Sequence, residues 1–244
     1  MRIAVISDIH ANLHALTAVL AAVDAEGADE IWCLGDLVGY GPRPEEVVTM
    51  VRERTAVCLA GNHDLGVLGT LDLELFAGDA YDAALWTRGQ LTDESRDYLA
   101  ALRPAGVACG FGLYHGSPRD PVWEYVLDGW TAAAALGTAN ERHILVGHSH
   151  VALQVGVSEE TLSGTGGPAS PGTEVRLDAN RALLNPGSVG QPRDGDPRAA
   201  WLAIDLDAGR ALFRREDYPI AETQAEIRDA GLPETLAARL EFGL

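Results

Sequence analysis

Short apolar runs that stop at a cluster of Asp, Asn or His recur along this chain, and they restrict its fold more than any other feature. RIAVIS (2–7) stops at Asp8-Ile9-His10, and EIWCLG (30–35) stops at Asp36. Residues 55–60 stop at Gly61-Asn62-His63-Asp64, and the run that begins HILV (143–146) stops at Gly147-His148-Ser149-His150. Runs of this length read as buried strands, and helical patterns lie between them. Leu13, Leu16, Leu20 and Val23 share one face of a helix over 12–26, and further helices are expected over 44–54, 79–89, 92–102 and 129–139. Thr92, followed by Asp93 and Glu94, suits a helix N-cap. Residues 107–116 hold one or two strands.

The second half is richer in strands: VALQVGV, EVRLD, RALLNPGS, AAWLAID and ALFRRED, separated by turn residues. The stretch 158–173, rich in Gly, Ser, Thr and Pro, predicts a mobile hairpin loop. Two helices, 220–230 and 233–241, close the chain around Gly231-Leu232-Pro233. The expectation is α/β: a four-layer α/β/β/α sandwich of two mainly mixed β-sheets flanked by helices, in a single domain over 1–244.

Composition narrows the function. No run of about 18 apolar residues is present, so no membrane span is expected. The opening MRIAVISD is too short for a secretory leader, and Cys33, Cys58 and Cys109 are widely spaced with apolar flanks. Free thiols in a reducing, cytoplasmic setting are expected. Asp and Glu total 36 against 18 Lys and Arg, a net charge of −18. That argues against non-specific nucleic-acid binding, which needs a basic face. It also means that an anionic substrate would need a local cationic site.

The polar clusters can supply one. In an extended chain, residues i and i+2 point the same way, so Asp8 with His10, and His148 with His150, can each address one point. Alone, each cluster is an ordinary turn or cap, and a lone His115 after an apolar run is an ordinary histidine. Together, Asp8, His10, Asp36, Asn62, His115, His148 and His150 offer seven N and O donors. That number suits two divalent transition metals that share one carboxylate. His14 and His143 have no such neighbours and read as structural.

The ordered blocks D-x-H, G-D, G-N-H-D, a lone H and G-H-x-H resemble the calcineurin-like metallophosphoesterase superfamily over nearly the whole chain. The flanking text DIHANLHAL, GDLVGYGPRPEEVV and LLNPGSVGQPRDGDPRAAW is similar to a bacterial single-domain, phosphodiesterase-like branch that resembles diadenosine tetraphosphatases. The resemblance implies that Asp8, His10 and His150 hold one metal and that Asn62, His115 and His148 hold the other. Asp36 would bridge them, His63 would face the phosphoryl group and Asp64 would orient His63. The metals would be two divalent ions, Mn foremost, with Fe, Zn, Co or Ni as alternatives. They would provide a hydroxide to attack a small phosphodiester or nucleotide-type substrate. A phosphomonoesterase, a protein phosphatase and a non-catalytic scaffold are the competing readings. For substrate contacts the sequence offers Asn12 (otherwise a helix N-cap), Tyr40, Arg43, Arg119 and Arg193. Oligomeric state is not legible.

Overall fold

In the computed structural model, residues 1–157 and 164–244 are described. The first sheet contains β1 (Arg2–Ile6), β2 (Glu30–Cys33), β3 (Val57–Cys58), β9 (Glu174–Arg176), β11 (Ala199–Asp205) and β12 (Arg210–Glu216), in the order β3-β2-β1-β11-β12-β9. The second contains β4 (Ala105–Ala108), β5 (Phe111–Tyr114), β6 (His143–Val146), β7 (Leu153–Val157), β8 (Gly164–Pro168) and β10 (Arg181–Asn185), in the order β4-β5-β6-β10-β7-β8. Each sheet has a parallel trio, β1–β3 in the first and β5, β6 and β10 in the second, with antiparallel strands completing it.

Burial on both faces explains why the parallel strands read as continuous apolar runs. Along β1, Ile3 and Val5 enter the layer between the sheets, where they join Trp32, Leu113, Leu145, Leu184, Leu202 and Phe213. Ala4 and Ile6 turn the other way, toward α1 (Leu13–Glu26) and α2 (Pro44–Arg54). On the far side, α6 (Gly129–Thr138) packs on Ile144, Val146, Val155 and Leu183 of the second sheet. A separate cluster joins α4 (Asp79–Gln90) to α7 (Ile220–Asp229) and α8 (Glu234–Ala238). The chain is one domain with four layers, α/β/β/α.

Two expectations change. Within 158–173, residues 164–168 are not loop: they form β8, paired antiparallel with β7 from Leu153↔Pro168 to Val157↔Gly164. The rest of that expectation, at 158–163, lies outside the described residues. The polar run at 61–64 is not a simple turn either. It opens a helix, α3 (Asn62–Leu68), with Gly61 as N-cap, followed by α5 (Asp93–Ala101) further along the same layer. Among the described residues no helix is long and apolar enough to cross a membrane.

Candidate metal centre

The carboxyl ends of both parallel trios open at the same end of the sandwich, where loops after strands carry ligands in α/β folds. The loop after β1 brings Asp8 and His10, and the loop after β2 brings Asp36. The N-terminus of α3, after β3, brings Asn62. The second sheet adds His115 after β5, and His148 and His150 after β6. All seven side chains are buried. Two groups form, Asp8-His10-Asp36-His150 and Asp36-His115-His148, and within each group the donor atoms lie within 4.8 Å of one another. Asp36 belongs to both.

Convergence does not come from strand alternation. Asp8 (φ 53°), His10 (φ 48°), Asp36 (φ 53°), His148 (φ 63°) and His150 (φ 58°) all adopt the left-handed conformation. Asp and His tolerate that region better than most residues. Close backbone approach completes the turn. A Cβ on Gly61, whose own φ is ordinary, would stand 2.0 Å from Asp36 Oδ1. The glycine is needed for the neighbouring carboxylate, not for its own backbone.

Hydrogen bonds aim the ring nitrogens. His10 Nδ1 donates to the Val38 carbonyl (3.0 Å), His115 Nδ1 to Leu34 (3.0 Å) and His150 Nδ1 to Gln191 (2.6 Å). A neutral ring whose Nδ1 holds the proton has a bare Nε2 lone pair, the usual arrangement of a metal-ligating histidine. His10 Nε2 and His150 Nε2 then face each other at 3.0 Å, and His115 Nε2 faces Asn62 Oδ1 at 3.0 Å. His148 Nε2 is buried with no partner among the described residues. Lone pairs aimed at lone pairs in a buried space are the arrangement that cations satisfy, and the donors present fit two divalent ions.

The electrostatics agree. Burial pushes the imidazoles down: His115 to about 3, His148 to about 2, and His10 and His150 well below the usual range. Burial raises Asp8 to about 7 and Asp36 well above the carboxylate range. The centre therefore holds neutral nitrogens and carboxyls that ionise readily only beside a positive charge.

His63 lines a cavity of about 340 Å³ beside this centre, together with Asp36, Tyr40, Asn62 and Arg193. Burial first, then the charge of Arg193, lowers its pKa to about 3, so the ring is neutral. The expected brace from Asp64 is absent. Asp64 Oδ1 accepts from the N–H groups of Leu37 (2.9 Å) and Val38 (3.2 Å), and Oδ2 accepts from Gly61 (2.8 Å). His63 Nδ1 has no partner among the described residues. Asp64 ties the loop after β2 to the start of α3. The three acceptor bonds satisfy a buried carboxylate better than one imidazole would.

Of the five substrate candidates, the structure brings Tyr40 and Arg193 to the cavity and places the other three elsewhere. Asn12 is the N-cap of α1: Oδ1 accepts from Ala15 N (3.1 Å), and Nδ2 donates to the Gly190 carbonyl (2.9 Å). Arg43 is held by Glu226 (2.7 Å) and Glu46 (3.1 Å) on the outer surface. Arg119 is paired with Glu124. The sequence reading missed an aromatic wall. The Tyr125 ring stacks on His148 (4.1 Å between centroids), and Phe76 packs against His63 (5.1 Å) and Trp123 (5.4 Å). These residues lie outside the motif blocks, and only the fold carries them to the site.

Comparison with known proteins agrees with this geometry. Residues 1–208 match the calcineurin-like phosphoesterase superfamily domain. A crystal structure of a metallophosphoesterase from Sphaerobacter thermophilus is 43% identical, with a TM-score of 0.90, covering 100% of this chain and 99% of that one. An uncharacterized protein of Methanocaldococcus jannaschii is 36% identical over 99% of this chain and 98% of its own length. A symmetrical bis(5'-nucleosyl)-tetraphosphatase of Stutzerimonas stutzeri is 35% identical, over only 35% of this chain and 36% of its own. With the family domain spanning most of its length and the buried donor clusters at the strand ends, this chain belongs to the calcineurin-like phosphoesterase superfamily.

Proposed function

We propose that the protein is a dinuclear metal-dependent phosphoesterase acting on a small phosphodiester or nucleotide-type substrate. The observation that carries this reading is the pair of buried donor clusters that share Asp36. Divalent ions held there, Mn foremost and Fe, Zn, Co or Ni as alternatives, would supply Lewis acidity to a phosphoryl group and acidify a water. The chain's own residues do the rest. Arg193 presents a guanidinium to phosphoryl oxygens at the cavity wall. His63, kept neutral by burial, offers one N–H to the leaving oxygen. Tyr40, Trp123 and Tyr125 wall the cavity against water and give an organic leaving group a surface to lie on. The partial similarity to a bis(5'-nucleosyl)-tetraphosphatase supports a nucleotide-type substrate. The free cysteines suit a cytoplasmic setting.

The test is metal content and turnover of the Mn²⁺-supplied protein on bis(p-nitrophenyl) phosphate and on nucleotide phosphoesters. His63→Ala should keep its metals and lose ~10²–10⁴-fold in turnover. His148→Ala should lose metal as well. A wild-type protein that carries no metal and hydrolyses neither class of ester would sink the reading.

A further inference from the structure

All 18 basic side chains of this acidic protein are arginines. Ten of them lie within 4.0 Å of a carboxylate. Among the described residues the other eight have no such partner; Arg2, Arg88, Arg96, Arg142 and Arg181 donate to backbone carbonyls, and Arg193 and Arg239 have neither. Both donate instead to one neutral acceptor: Gln191 Oε1 lies 2.8 Å from Arg193 Nη2 and 3.4 Å from Arg239 Nη1. Two guanidinium groups on a single amide oxygen repel each other, and the amide cannot neutralise them. The Asp79 carboxylate, which faces Arg239 from α4, accepts from the Thr235 hydroxyl instead. Arg193 has donors to spare as well: its Nε is buried without a partner among the described residues, and its longest bond is to Tyr40 Oη at 3.4 Å.

This pair is placed beside the reaction. Arg193 lines the same cavity as Asp36, Asn62 and His63. Gln191 is fixed there, because its carbonyl accepts from His150 Nδ1 (2.6 Å) and its N–H donates to Ser188 Oγ (2.8 Å). Arg239 enters from the chain's closing turn after α8, so two segments distant in sequence bring their charges together at one edge of the centre. Paired guanidinium groups present planar forks of donors that match phosphate oxygens.

Resting on the phosphoesterase reading, we propose that Arg193 and Arg239 form a subsite for a second phosphoryl group, so that the substrate class is a nucleotide with at least two linked phosphoryl groups. One phosphoryl group occupies the metal centre, and its neighbour in the chain replaces the missing carboxylate between the two arginines.

The test is calorimetric binding of AMP and of the non-hydrolysable methylene analogue of ADP to the metal-supplied protein. The two ligands share a base and differ by one phosphoryl group. The analogue should bind about tenfold or more tighter, the size of one charge-assisted contact. Arg239→Gln should reduce that preference to within about twofold, and Arg239→Lys, which keeps the charge, should retain most of it. Equal affinities in the wild type, no binding of either ligand, or a preference unchanged by Arg239→Gln would overturn the subsite. Turnover of bis(p-nitrophenyl) phosphate, which has a single phosphoryl group, tests the phosphoesterase reading separately. A protein that hydrolyses it but shows no preference for the analogue refutes only the subsite.

Discussion

Seven of the eight non-glycine residues with positive φ among those described lie at the centre or in its loops: Asp8, His10, Ala11, Asp36, Tyr40, His148 and His150. Such conformations cost on the order of 1–3 kcal/mol each and persist only where surroundings impose them. Here the imposing contacts are short hydrogen bonds and glycines. Gly61→Ala is the sharpest probe: its Cβ would meet Asp36 Oδ1 at 2.0 Å. We expect this variant to fold with a loss of ~1–3 kcal/mol but to bind metal poorly, measured by denaturation and by metal analysis. Metal content equal to that of the wild type would show that Asp36 can move aside. The seven donors were legible in the sequence because each follows a strand and is chemically conspicuous. The duty of Asp64 was not. Adjacency to His63 suggested a partner, whereas its oxygens are used by backbone groups that the start of α3 presents.

Among the elements, the long or strongly apolar ones were readable. The α1 stripe and β1, β2 and β6 stand where periodicity and apolar runs placed them, because burial on one or two faces dictates those patterns. Two elements escaped for opposite reasons. α3 is seven residues long and starts inside a polar cluster, so no apolar period announces it. β8 reads GTGGP, poor in strand formers, and exists because β7 offers it an edge. The layer between the sheets holds the strand ends in place. Leu202→Ala, which would empty a fully buried position of β11, should cost ~2–5 kcal/mol and lower Tm by roughly 4–20 °C. A calorimetric scan would measure it; a shift of under ~2 °C would mean that the layer collapses around the gap.

At the scale of the molecule, a net charge of −18 surrounds a centre that, on the proposed reading, would receive an anion. The repulsion is long-ranged and screened by salt, whereas contacts inside a buried site are screened much less. Raising ionic strength from about 10 mM to about 150 mM should therefore raise kcat/KM for an anionic substrate, contrary to the usual behaviour of a basic enzyme. A steady fall across that range would show that the local arginines, not the global field, govern approach.

Each donor group draws on both sheets. His150 of the second sheet joins Asp8, His10 and Asp36 of the first, and Asp36 meets His115 and His148 from across the layer. On the proposed reading, a cation held in either position would therefore act as a rivet through the sandwich as well as a reagent. Stripping the metals should loosen the molecule like a book opened from one edge. Hydrogen exchange should rise first in residues 34–41, 60–64, 147–151 and 187–193, while α6 and the middles of β1 and β10 stay protected. Unchanged protection throughout would instead mean that the ions hold nothing but the substrate. On the proposed reading, cohesion at one end and reactivity would come from the same few atoms, and metal starvation would remove both together.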